Sequence, residues 1–90
     1  MLPSPVVQLN RAVAIWMAFG AQAGLELVDS LTDAPELQGN HLLPSVRGRL
    51  LEQLGRPQEA TAEFQKAADL ARNDQERALL LRLAEATDSR

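Results

Sequence analysis

The chain contains no cysteine, a single histidine and few aromatic side chains, 3% of 90 residues. Without cysteine there is no disulfide framework and no thiolate metal site, and a reducing cytoplasm is the expected compartment. Apolar residues nevertheless reach 46%, so the core must be built from Leu, Val and Ala packed helix on helix. A net charge of -3 makes the chain a poor electrostatic match for nucleic acid, and direct nucleic-acid binding is not expected. The apolar run over residues 12–19 falls short of the roughly 20 residues that cross a bilayer. It is followed by Ala21-Gln22-Ala23, which imitates a signal-peptide cleavage site. Pro3 and Pro5 break the leading region and Arg11 is its only basic residue, so a helix start is the better reading.

No set of residues suggests chemistry. His41 has no Ser or carboxylate at a spacing that would make it a catalytic base, and it reads as a residue that caps or packs where a loop enters a helix. Asp29, Asp33 and Glu36 lack the glycine and the ligand count of a calcium loop. Gly20, Gly24 and Gly39 lack the strand and the Gly-Lys-Ser of a phosphate loop. Leu79-Leu80-Leu81 lies in a well-charged helix and reads as a docking stripe, not a membrane anchor. No catalytic residue, cofactor, metal ligand or small-molecule substrate is expected.

The punctuation predicts an all-α chain of five helices. Ser4 caps the first, with Pro5 at the first helical position, and the helix stops at Gly20. The second runs over about residues 21–31 and ends at Thr32-Asp33-Ala34-Pro35. Residues 36–40 form a connector. The third covers about residues 42–54, with Leu43, Val46, Leu50 and Leu54 on its buried face. The fourth begins at Pro57 and ends near Arg72. Asn73 caps the fifth, Glu76 closes a capping box, and Leu79, Leu80 and Leu83 dock it. Its polar tail, residues 87–90, should fray.

Residues 41–74 resemble one tetratricopeptide repeat. Gly48 stands where two antiparallel helices approach closely, and Gly55 ends the first of them before Arg56-Pro57 turns the chain. Ala60, Phe64 and Ala67 then place small, large and small residues on one face of the second helix. The usual terminal proline is absent, with Arg72 and Asn73 in its place. Setting Gly24 on Ala60, Val28 on Phe64 and Leu31 on Ala67 yields a second, degenerate copy at a period of about 36 residues. The expected organisation is one domain over residues 1–90. It comprises a degenerate repeat (1–40), a better one (41–74) and a capping helix (75–90).

Charge is unevenly spread. Residues 1–45 hold Arg11 as their only basic group, against Glu26, Asp29, Asp33 and Glu36. From residue 12 to 19 every side chain is apolar, and a helix apolar all round must be buried all round. Helices two and three are little to cover it. Some subset of Val6, Val7, Val13, Ile15, Trp16, Met17 and Phe19 should therefore be a contact surface, to a second copy in the isolated chain or to other protein segments.

The stretch Pro3-Ser4-Pro5-Val6-Val7-Gln8-Leu9-Asn10-Arg11-Ala12-Val13-Ala14 resembles a signature of one group of extracytoplasmic-function RNA polymerase sigma factors. Gly24-Leu25, His41-Leu42-Leu43-Pro44, the segment from Gly55-Arg56 to Ala60, and Leu70-Ala71-Arg72-Asn73 fit the same pattern in order. In that group a tetratricopeptide-like extension follows the regions that bind promoter and polymerase, with a further helix ahead of the Ser-Pro-Val-Val stretch. Trp16 falls where the group has a smaller residue. The resemblance implies a piece of a bacterial transcription factor, regulatory and not itself a DNA reader. The implied partners are the sigma core regions, the polymerase or a signalling protein. A free-standing helical-repeat adaptor and a small enzyme or ligand-binding bundle are the other classes, the last disfavoured by the missing catalytic set.

The candidate partner contacts are Asn10, Arg11, Trp16, Phe19, His41 and Arg47. Arg11 either holds a partner carboxylate or, with Asn10, satisfies carbonyls of the loop over residues 32–35; an isolated arginine beside an apolar helix favours the local role. Arg47 and Arg49 face different sides of helix three, and Arg47 is the better candidate for the groove.

Overall fold

The computed structural model describes residues 5–37 and 39–88. Its elements are α1 (Pro5–Phe19), α2 (Ala21–Ser30), a short 3-10 turn (Pro35–Leu37), α3 (Leu42–Gln53), α4 (Pro57–Asp69) and α5 (Asp74–Asp88). All five predicted helices form, α4 ending earlier than expected, and no strand occurs among the described residues. The Ser4 cap, Gln38 of the connector and the last two residues of the tail lie outside the described residues. Each helix packs chiefly on its neighbours in sequence, α1 on α2, α2 on α3, α3 on α4 and α4 on α5. The shortest dimension, 18 Å, is the thickness of two helices side by side, so the hairpins form a two-layer slab 41 Å long.

Two glycines make the hairpins. Gly55 has φ +74, a left-handed conformation that a side chain would disfavour. There its amide donates to the Glu52 carbonyl and that of Arg56 to the Leu51 carbonyl, the paired bonds of a Schellman cap. Arg56 then fastens the new turn, its Nη2 donating to Glu59 Oε1 at 2.8 Å. That hydrogen bond lowers the Glu59 carboxyl below its ordinary range. The pair stabilises at neutral pH and is lost as acid takes the carboxylate through its lowered pKa. Gly20 joins α1 to α2 as the one residue between them, at φ 100 and ψ 169, a region open in practice to glycine alone.

The core follows the small–large–small framework. Ala60, Phe64 and Ala67 have no exposure, and neither have Leu50 and Leu51 beside them. A Cβ on Gly48 would stand 2.8 Å from Cε1 of Phe64, so α3 crosses α4 at a distance only glycine permits. The first hairpin solves the same problem from its other helix. There Gly24 is the close-packed residue, its notional Cβ 2.9 Å from Cβ of Trp16 and 3.2 Å from the Ala12 carbonyl. Val28 is fully buried and Leu31 nearly so, matching Phe64 and Ala67 one period on.

Several boundaries and faces differ from expectation. α4 stops at Asp69, short of Arg72, because the amides of Leu70 and Ala71 fold back onto the carbonyls of Ala67 and Ala68. Residues 72 and 73 belong instead to the cap of α5. Asn73 Oδ1 accepts from the Glu76 amide at 2.8 Å as predicted, but Glu76 Oε2 accepts from the amide of Arg72, one residue before the box position. α5 holds together through Thr87, which is buried and donates to the Leu83 carbonyl at 2.7 Å. On α5, Leu80 and Ala84 dock, whereas Leu79 is 55% exposed. On α3, Leu51 joins the buried face, and Val46 and Leu54 are only half-buried. Nor is α1 buried all round: Met17 is 83% and Phe19 79% exposed.

Replacing Gly48 with leucine should cost about 1–3 kcal/mol, because the added side chain overpacks the crossing where even a Cβ would stand 2.8 Å from the Phe64 ring. Urea unfolding measures this directly. A midpoint equal to that of the parent would remove Gly48 from the helix crossing.

Candidate functional site

Two surfaces remain open after the core is built. The first is the outer side of α1. Leu9 and Ala12 face inward and are buried, whereas Asn10, Arg11, Met17 and Phe19 are exposed. Trp16 lies between the two sides, half-buried, with its indole Nε1 donating to Gln53 Oε1 at 2.8 Å. Its ring therefore serves chiefly to tie α1 to the carboxyl end of α3. Among the described residues, no hydrogen bond from Asn10 or Arg11 to the loop over residues 32–35 is found. Among the described residues that segment is closed by its own amides, with Ala34 N–H on the Leu31 carbonyl, Leu37 N–H on that of Ala34 and Asn40 N–H on that of Leu37.

The second surface is a groove between α3 and α5, with a volume of about 260 Å³. Both helices pack on α4, and Phe64 of α4 forms the floor. Leu42, Ser45 and Arg49 line one side at helical spacing; Glu76, Leu79 and Leu83 line the other. His41 stands at one end, its Nε2 3.6 Å from Glu76 Oε1. At the other end Thr87 Oγ1 stands 3.3 Å from Glu52 Oε2, which shares the hydroxyl proton with the nearer Leu83 carbonyl. Ser45 sits one turn from His41, but its hydroxyl donates to the His41 carbonyl at 2.7 Å, so it forms no nucleophile–base pair with the imidazole.

Arg47 occupies a different place from the one predicted. Its Nε donates to Asp29 Oδ1 of α2 at 2.8 Å and its Nη1 to Glu63 Oε1 of α4 at 3.0 Å. It is a clamp across three helices, facing away from the groove. Partial burial opposes its charge, but the hydrogen bond to Asp29 and the charges of Glu63 and Asp29 outweigh that and raise the guanidinium above its ordinary value. Arg49 is the arginine in the groove. The sequence held a signal for this, since Leu42, Ser45 and Arg49 stand at i, i+3 and i+7 on one face of α3.

The candidate contacts thus do not form one site. Phe19, Asn10 and Arg11 belong to the outer side of α1, His41 to the groove, and Trp16 and Arg47 to helix joints. Gly48, Gly55, Ala60, Phe64 and Ala67 are framework. Among the described residues no group of three or more His, Cys, Asp or Glu side chains could hold a metal ion. No helix among them is long and apolar enough to cross a membrane.

No protein-family model matches the chain, and no solved structure matches it at a significant level. The chain is similar to an uncharacterized protein of Rhizobium meliloti (strain 1021), 45% identical over 78 residues. That match spans 87% of this chain and 18% of the relative, a protein more than five times the length of the aligned stretch.

Arg47→Ala should cost about 1–3 kcal/mol, the scale of hydrogen bonds to charged groups. Double-mutant cycles should assign more coupling to Glu63, whose side chain is 17% exposed, than to Asp29 at 48%, because solvent screens the more open pair. Equal couplings would mean that burial does not rank the two contacts.

Proposed function

We propose that the chain is a tetratricopeptide-type regulatory extension of an extracytoplasmic-function RNA polymerase sigma factor. In this reading it works in the cytoplasm by protein contact and carries out no chemistry. The observation that carries the protein-contact reading is the outer side of α1, where Met17 and Phe19 present large apolar side chains to solvent. Each such side chain, once covered, stabilises an association by about 1.5–3 kcal/mol. The sigma-factor assignment rests on the Pro3-to-Ala14 signature and the ordered motifs after it. The partner is then the sigma core or the polymerase in the full protein. In the isolated chain the same face meets a second copy.

Met17→Glu with Phe19→Glu tests this without disturbing the core, since both side chains already stand in solvent. The double variant should keep the parental melting midpoint and yet lower promoter-specific transcription about tenfold or more in a reconstituted assay with the full-length protein and polymerase. Undiminished transcription would turn the reading away from sigma regulation and toward a free-standing adaptor.

The isolated chain should bind promoter DNA negligibly, because its nine Lys and Arg side chains are outnumbered by twelve Asp and Glu and the net charge is -3. Tight, salt-sensitive retardation in a mobility-shift experiment would return it to the DNA readers. In sedimentation the parental chain should dimerise with rising concentration and the double variant should not. A parental chain that stays monomeric would confine the α1 face to other partners.

A further inference from the structure

A shift of about 36 residues carries α1 onto α3, and Ala12 then falls on Gly48, each the buried small residue where its own hairpin crosses. The same shift sets Val7 on Leu43, Arg11 on Arg47, Ala14 on Leu50 and Met17 on Gln53. On α3 those four residues face the preceding hairpin. Leu43 lines one cleft with Thr32 and Leu37, and Leu50 Cδ2 lies 3.1 Å from a notional Cβ on Gly24. Arg47 bonds to Asp29, and Gln53 accepts the Trp16 indole.

On α1 the four counterparts are exposed. Val7 is 55% exposed where Leu43 is 8%, and Ala14 stands in solvent where Leu50 is fully buried. Arg47 makes two ion pairs, whereas Arg11, at the same position, makes none among the described residues. Spaced i, i+4, i+7 and i+10, the four form one stripe of the helix. α1 thus repeats the seat by which α3 rests on α2. The stripe is apolar at Val7, Ala14 and Met17 and cationic at Arg11, and α1 has no acidic residue to offset that charge. A basic partner would be repelled there, and a lone arginine is too little for nucleic acid.

We infer that the outer stripe of α1 seats an amphipathic partner helix that presents a carboxylate to Arg11, as Asp29 of α2 does to Arg47. The apolar face of that helix covers Val7, Ala14 and Met17, and the carboxylate stands at the edge of the face. Because Ala14 is shorter than Leu50, an aliphatic side chain fills the place that Gly24 holds on α2, five residues ahead of the acid. The inference rests on the reading of the outer side of α1 as a protein-contact surface, but not on the sigma factor.

The probe is a peptide of the α2 sequence, residues 20–34, carrying Gly24→Leu and stapled between the exposed positions 22 and 26 so that it is helical. It is titrated into the dilute isotope-labelled chain and followed by amide shifts. The signals of residues 7–18 should move, and a peptide that also carries Asp29→Lys should bind about fivefold more weakly. Arg11→Glu in the chain should reverse that preference, and Arg49→Glu should leave it unchanged; both side chains are exposed, and a parental melting midpoint verifies the fold. Equal binding of the two peptides, or an Arg11→Glu variant that keeps the parental preference, overturns the inference and leaves the protein-contact reading standing. Shifts in α1 that follow only the chain's own concentration assign the stripe to a second copy and overturn it as well. Charge-selective binding at α1 together with unimpaired transcription by the Met17 and Phe19 double variant keeps the Arg11 pair and removes the sigma reading.

Discussion

The contact between Phe64 and the bare backbone of Gly48 is the constraint on which the second hairpin and its neighbour depend. Aromatic residues are few, and of Trp16, Phe19 and Phe64 only the last is fully buried. Its ring meets α3 where a side chain on residue 48 would intrude, and it also forms the floor between α3 and α5. One ring therefore sets two helix spacings. A larger residue at position 48 would push α3 outward, and the groove would change shape with it.

Around this apolar contact the helices are held in register by a small number of polar bonds, several of them on α3. Gln53 receives the indole of Trp16 from α1, Glu52 lies within 3.3 Å of the Thr87 hydroxyl of α5, and Arg47 reaches Asp29 and Glu63 on α2 and α4. Such bonds add little net stability each, but they are directional where aliphatic packing is not. In a core made mostly of Leu and Ala, whose faces resemble one another, they select one sliding register over its neighbours.

The fold was legible because its punctuation is local. Gly20, Gly55, Pro57 and Asn73 act through their own backbone geometry, and no distant partner changes that. The small–large–small framework was equally plain, since Gly48, Ala60, Phe64 and Ala67 are neighbours once the helices form. Side-chain destinations were harder to read. Arg47 and Arg49 lie on the same helix, and the positions of Asp29 on α2 and Glu63 on α4 decide which of them is clamped. Leu79 and Leu80 are chemically identical, and the face by which α5 packs on α4 sends Leu80 inward and leaves Leu79 at the lip of a groove. The uncovered side of α1 was visible as an excess of apolar residues, but its centre shifts from Trp16, which bonds to Gln53, to Met17 and Phe19.

Because each helix packs chiefly on the helices next to it in sequence, no extensive contact among the described residues joins α1 to α4 or α5. Stability in such an array is a sum of neighbour terms and need not be lost all at once. α4 lies between two well-packed partners, α3 and α5, whereas α1 is covered mainly by α2. Amide hydrogens should therefore exchange slowly along α4 and progressively faster toward α1, so that the helix with the most exposed apolar surface is also the one that opens first. Any partner that captures α1 then gains a lever on the whole array: by suppressing the least costly opening it slows exchange in helices that it never touches.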